Sequence, residues 1–179
     1  QVADGTIIVN SGQGSFDVYD DIAIGFVSNL WAGPVPPAAT RTLVRLNEDG
    51  TFNSTIAQGS QFDGPAPTQN NFAIQPDGKI VCVGAFSNYN GNVVNRIVRL
   101  LPDGTLDAAF LAKTGTGFSA EAAGIAILGS GHILVGCNGG TLFNGAFTGG
   151  LVLLDPDGTR NNALNLGTGF NGIVIDVCI

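Results

Sequence analysis

Apolar residues in this chain come in short runs separated by turn formers, and no stretch holds helical spacing. Phe72-Ala73-Ile74 and Ile80-Val81-Cys82-Val83 flank Gln75-Pro76-Asp77-Gly78-Lys79. Pro presets φ for the second position of a type I turn, Asp suits the third, and Gly takes the left-handed conformation at the fourth. The pattern predicts a hairpin. Arg96–Leu100 then reads as a strand, Pro102-Asp103-Gly104 as a second turn, and a short piece ends near Phe110. The same order returns in 124–128, 133–135 and 151–154. The strands are apolar on both faces, as in sheets packed between other sheets. Residues 108–113 and 119–123 are too short to read as helices. The prediction is an all-β chain.

Three markers repeat in a fixed order. A strand core recurs as Ile22-Ala23-Ile24, Phe72-Ala73-Ile74, Ile125-Ala126-Ile127 and Val177-Cys178-Ile179, at steps of 50, 53 and 52 residues. Asp-Gly recurs at 4–5, 49–50, 103–104 and 157–158, and a Gly-rich stretch ending in Phe at Phe16, Phe62, Phe118 and Phe170. The whole of 1–179 reads as one repeat-built β domain. Its units are a partial 1–21, then 22–71, 72–124, 125–176, and 177–179 as the start of another. Repeats of this length suggest propeller blades, here three and a fraction. Propellers close with typically four to eight blades, so further blades or other subunits are expected to complete the structure. The alternative is a pseudo-threefold, trefoil-like compact fold. The first copy reads as lacking the first hairpin, since Gly25-Phe26-Val27 follows Ile24, and the third replaces Pro-Asp-Gly-Lys by Gly129-Ser130-Gly131-His132.

The sequence 73–86, AIQPDGKIVCVGAF, followed by 90–110, NGNVVNRIVRLLPDGTLDAAF, and then Gly115-Thr116-Gly117-Phe118, resembles the delta-60 repeat. The resemblance extends over nearly the whole chain and is strongest in the second copy. It implies a propeller-type fold of the kind found in bacterial surface or secreted proteins and phage virion proteins. It supplies no catalytic motif.

Charge narrows the partners. Seven basic and fourteen acidic side chains give a net charge of −7 with no basic patch, which argues against nucleic acid. No apolar run approaches the ~18 residues of a membrane span, and no signal peptide is evident. The chain has no Met, and its last residues stop inside an apparent strand, so it reads as part of something longer or as a subunit completed by neighbours.

Candidate chemistry is sparse. Cys82, Cys137 and Cys178 lie in apolar runs without metal-ligand spacing and read as small core residues. Asp17, Asp20 and Asp21 form the densest acidic cluster, but no calcium-loop pattern completes it, and it reads as a solvated loop. His132 stands alone, and no nucleophile elbow is present. Asn53-Ser54-Thr55 has the form of a glycosylation acceptor. No catalytic, cofactor-binding or metal residue is assigned, and no cofactor is expected. The notable pattern is an aromatic two residues before Gly in the long loop of each copy: Trp31-Ala32-Gly33, Tyr89-Asn90-Gly91 and Phe143-Asn144-Gly145. Trp31, Tyr89, Asn90, Phe143 and Asn144 are therefore candidate ligand or partner contacts. The same aromatics suit gap-filling between neighbouring blades, the reading that packing favours. The expectation is a non-enzymatic structural module of a virion or extracellular appendage, forming a homo-oligomer or joining other structural subunits. The alternative is a propeller that binds a surface glycan or protein receptor.

Overall fold

The computed structural model describes residues 16–19, 22–28, 41–46, 61–63 and 71–178. In chain order the elements are β1 (Phe16–Tyr19), β2 (Ile22–Ser28), β3 (Arg41–Leu46), β4 (Gln61–Phe62), β5 (Asn71–Ile74), β6 (Ile80–Val83), β7 (Asn88–Tyr89), β8 (Asn92–Val93) and β9 (Ile97–Leu100). Then come α1 (Ala108–Thr114), β10 (Ala122–Ile127), β11 (Ile133–Cys137), β12 (Leu142–Phe143), β13 (Ala146–Phe147), β14 (Leu151–Leu154) and β15 (Arg160–Asn161). The fold is all-β and propeller-like, with antiparallel sheets built from successive copies. Among the described residues these sheets are separate and close no barrel, which removes the trefoil-like alternative.

Each copy makes the same antiparallel meander. In the second copy β5 pairs with β6 and β6 with β9, and an isolated bridge between Leu100 and Leu106 lies on the outer edge. In the third, β10, β11, β14 and β15 follow in that order. In the first, β1 pairs with β2 and β2 with β3. The leading strands are neighbours, β1 beside β5 and β5 beside β10, as the innermost strands of adjacent blades should be.

This pairing corrects the phase read for the first copy. Ala23 faces Leu46 in β3 as Ile80 faces Leu100 in β9, so Ile22-Ala23-Ile24 occupies the second-strand place. Phe16–Tyr19 is the leading strand, and the hairpin thought missing joins β1 to β2. Asp17 and Tyr19 lie in β1, while Asp20 and Asp21 are outside the described residues.

Turn chemistry recurs with the copies. In 75–79, 101–105, 128–132 and 155–159 the fourth residue is a Gly at φ 79–82° or, at Gly158, 96°. Its N–H reaches the first carbonyl at 2.7–2.9 Å, and the first N–H reaches the fifth carbonyl at 2.8 Å. Gly-Ser-Gly-His thus keeps the geometry of Pro-Asp-Gly-Lys. Asp77, Asp103 and Asp157 add an acceptor for the N–H two residues on, at 3.3, 2.9 and 2.9 Å.

Sheet burial explains the apolar strands. Ile80 and Cys82 face one cluster with Phe62, Phe72, Phe86, Tyr89, Val98 and Leu100. Val81 and Val83 face the other, with Ile97 and the third-copy residues Ile133, Val135, Cys137, Val152 and Leu154. The second sheet is therefore buried on both faces. The third is different: β14 alternates buried Val152 and Leu154 with half-exposed Leu151 and Leu153.

Two expectations change here. A helix does form at 108–114. Asp107 caps it by accepting from the N–H groups of Ala109 (3.1 Å) and Phe110 (3.2 Å), and Phe110 anchors it in the core. Seven residues are too few to hold a helix by propensity, so cap and packing do so. Cys82 and Cys137 are buried, and burial pushes both thiols up. Cys178 is exposed, in a segment that is not strand.

Candidate functional site

The aromatic loops lie at the seams between copies. Asn90 and Gly91 have φ of 47° and 79°, and Asn144 and Gly145 have 50° and 74°. Two consecutive left-handed residues between paired strands make a two-residue hairpin with the twist the strands require. The Asn residues are therefore turn formers, chosen because Asn tolerates this conformation.

Each hairpin delivers its aromatic to a Phe of the preceding copy. Tyr89 pairs across the backbone with Phe62, with ring centroids 4.7 Å apart. Phe143 bridges Phe118 in the same way, at 4.8 Å. Tyr89 and Phe118 are 1% exposed and Phe143 is 0%. The Tyr89 hydroxyl donates to the Gly104 carbonyl at 2.6 Å, which satisfies its polar tip. These rings are packing elements; as contacts for an external ligand, Tyr89 and Phe143 are corrected, because no face of either is open. Asn90 is exposed at its tip. Trp31 lies outside the described residues.

Polar latches reinforce both seams. The Asn144 N–H donates to the Gly117 carbonyl at 3.0 Å, and its Oδ1 accepts from the Gly117 N–H and the Thr116 hydroxyl, each at 3.2 Å. The Ser119 N–H donates to the Leu142 carbonyl, and the Ser119 hydroxyl accepts from the Leu142 N–H, both at 2.9 Å. At the earlier seam Asp63 takes the place of Ser119. It accepts from the Ser87 and Asn88 N–H groups at 2.8 and 2.6 Å and from the Ser87 hydroxyl at 3.0 Å.

A second region sits between the turns of neighbouring copies. An open cleft of about 400 Å³ is lined by Gln75, Asp77, Lys79, Arg99, Ser130 and Asp157, among others. Its floor is a buried network. Arg99 Nε donates to Asp107 at 3.0 Å, and Nη1 donates to Gln75 Oε1 at 3.1 Å and to the Pro156 carbonyl of the next copy. The guanidinium also lies 4.4 Å from the centre of the Phe110 ring. Lys79 is paired with Asp77. The cleft's charges are balanced, and the pairs within it chiefly tie turn to sheet. Sequence reasoning missed Arg99; the signal was a charged residue inside the strand Ile97-Val98-Arg99-Leu100.

His132 is less solitary than its sequence suggests. Its Nδ1 lies 2.8 Å from the Ser130 hydroxyl and its Nε2 3.3 Å from Asp155 Oδ1, which also accepts from Asn161 at 2.6 Å. Ser130 and His132 hold the places that Asp77 and Lys79 hold one copy earlier, so this trio closes a turn. Among the described residues no three His, Cys, Asp or Glu side chains converge as metal ligands, and no helix is long and apolar enough to cross a membrane.

Several carboxylates share one electrostatic signature. Burial works against ionisation of Asp63, but hydrogen bonds from Asn88 and Ser87 outweigh it and hold the group below its ordinary range. Asp107 behaves alike, with burial opposed by the Phe110 N–H and the Arg99 charge. At Asp103 and Asp157 hydrogen bonds from Thr105 and Thr159 lower the pKa. Depressed carboxyl pKa values contribute stability that is present above the unfolded value of about 3.9 and is lost as pH falls through the folded values. Urea midpoints are therefore expected to stay level from neutral pH to about 5 and to fall steeply below about 4. A midpoint that holds or rises on acidification would count against these latches.

Comparison with known proteins follows the same geometry. A family model described as "Domain of unknown function (DUF5122) beta-propeller" matches residues 75–110, from the first turn of the second copy to the buried Phe110. This supports a β-propeller-like repeat family. No curated protein and no solved structure matches the chain.

Proposed function

We propose that the chain is a non-enzymatic structural module, built from delta-60-type repeats, of an extracellular assembly such as a virion tail or fibre or a surface appendage. It self-associates through unfinished strand edges, in the way that β4 of one copy pairs with β7 of the next. The observation that carries this reading is the seam between copies. Phe62 and Phe118 are each 1% exposed beneath the next copy's aromatic, with backbone pairing across each seam, so one copy presents a surface that receives another. A glycan-binding reading through Tyr89 and Phe143 would need open faces on those rings, and both are buried.

Sedimentation velocity over a wide concentration range tests the proposal. The expected result is a sedimentation coefficient that rises with concentration as copies of the chain join. A single monomeric species at the highest concentration overturns it.

A further inference from the structure

We propose that the cleft between the turns of the second and third copies binds a neutral pyranose, one sugar unit of a saccharide. The site is separate from the aromatic hairpins and does not depend on self-association. Arg99 supplies its floor. The residue is 8% exposed, yet it borders the cleft. Its Nε donates to Asp107, and its Nη1 donates to Gln75 Oε1 and to the Pro156 carbonyl. No acceptor among the described residues reaches Nη2. The fully buried side-chain atom without a partner is Thr141 Oγ1, so Nη2 is not sealed off. A guanidinium nitrogen held this firmly, with its N–H groups unspent, is a fixed donor at the base of the cleft. The repeat itself does not require the charge, since Leu153 holds the same register in the third copy.

The walls decide the class of ligand. Asp77 and Asp157, from the turns of two copies, offer carboxylate acceptors, and Lys79 and Ser130 offer donors. These groups are held in place beforehand. Lys79 pairs with Asp77, Ser130 lies 2.8 Å from His132 Nδ1, and the Thr159 N–H donates to Asp157 at 2.9 Å. An anion would meet Asp77 and Asp157, and a cation would meet Arg99 and Lys79, so either ionic ligand is opposed by a like charge. A neutral compound with several hydroxyls escapes both penalties, because each hydroxyl donates and accepts. The exposed rings of Pro76 and Pro156 add apolar wall, against which the C–H face of a pyranose lies flat. The volume of about 400 Å³ falls at the lower end of the range of small-molecule sites, which suits a single sugar unit.

Titration of the ¹⁵N-labelled chain with glucose, galactose and N-acetylglucosamine, each to about 100 mM and followed by NMR, is the test. At least one should give saturable shifts centred on the Arg99 Nε–H and on the amides of Asp77, Lys79, Ser130 and Gly131. Glucuronate and glucosamine, the anionic and cationic counterparts, should bind more weakly by about tenfold or more. Ser130→Leu fills part of the cleft from an exposed turn position and should weaken sugar binding by about tenfold or more, with the rest of the spectrum kept. The absence of saturable shifts with all three sugars overturns the proposal, and so do shifts confined to other residues or undiminished binding by a folded Ser130→Leu chain. Glucuronate or glucosamine binding as tightly as the neutral sugars overturns the assignment of a neutral ligand. That comparison uses the unaltered chain, so it decides the matter even if the variant does not fold.

Discussion

Asp107→Ala is expected to destabilise the fold by about 3–5 kcal/mol, the usual cost of removing one partner of a buried ion pair. Arg99 and Asp107 are 8% and 9% exposed, and their 3.0 Å contact is the centre of the network. The substitution leaves a guanidinium in the core without its counter-charge. It also removes the acceptor for the first N–H groups of α1, worth about 1 kcal/mol by itself. Asp107→Asn keeps an oxygen for the cap and should lose less. Adding Arg99→Met to Asp107→Ala removes the stranded charge and should recover part of the loss. Urea denaturation measures all three. A loss under about 1 kcal/mol for Asp107→Ala would show that the network is peripheral to stability.

Gly117→Ala should be nearly as damaging, by about 2–5 kcal/mol. Two effects add. A left-handed φ of 62° costs a non-Gly residue about 1–2 kcal/mol. The new methyl would also stand 2.7 Å from Asn95 Cβ and closer still to the Asn95 carbonyl oxygen, an overpacking cost of about 1–3 kcal/mol. Gly145→Ala is the control. Its φ is 74°, but nothing lies within 4 Å of the added carbon, so only the conformational cost of about 1–2 kcal/mol applies. Equal losses at the two positions would mean that the close crossing of turn and strand is absent.

How much of this the sequence disclosed depends on range. The period, the Pro-Asp-Gly turns and the two-sided apolar strands were legible because each is written in neighbouring residues. Phasing of the first copy was not, because Ile22-Ala23-Ile24 resembles a leading strand and only its pairing with Leu46 and Arg45 shows otherwise. Tyr89 and Phe143 were legible as gap-fillers between copies, but the rings they meet were not, because Phe62 and Phe118 belong to the preceding copy. The Asn-Gly pairs at 90–91 and 144–145 are a strong local signal, since Asn-Gly favours the two-residue hairpin. Arg99 was obscured for the same reason of distance, as its partners Gln75 and Asp107 lie 24 and 8 residues away.

The central claim is that successive copies are latched by an aromatic hairpin that closes on the preceding Gly-Thr-Gly-Phe turn. A double-mutant cycle on Phe118 and Phe143 tests it most directly, with unfolding free energies measured for Phe118→Leu, Phe143→Leu and the pair. The account predicts a coupling of about 0.5–1.5 kcal/mol between the two rings. Additive losses, with no coupling beyond error, would contradict it.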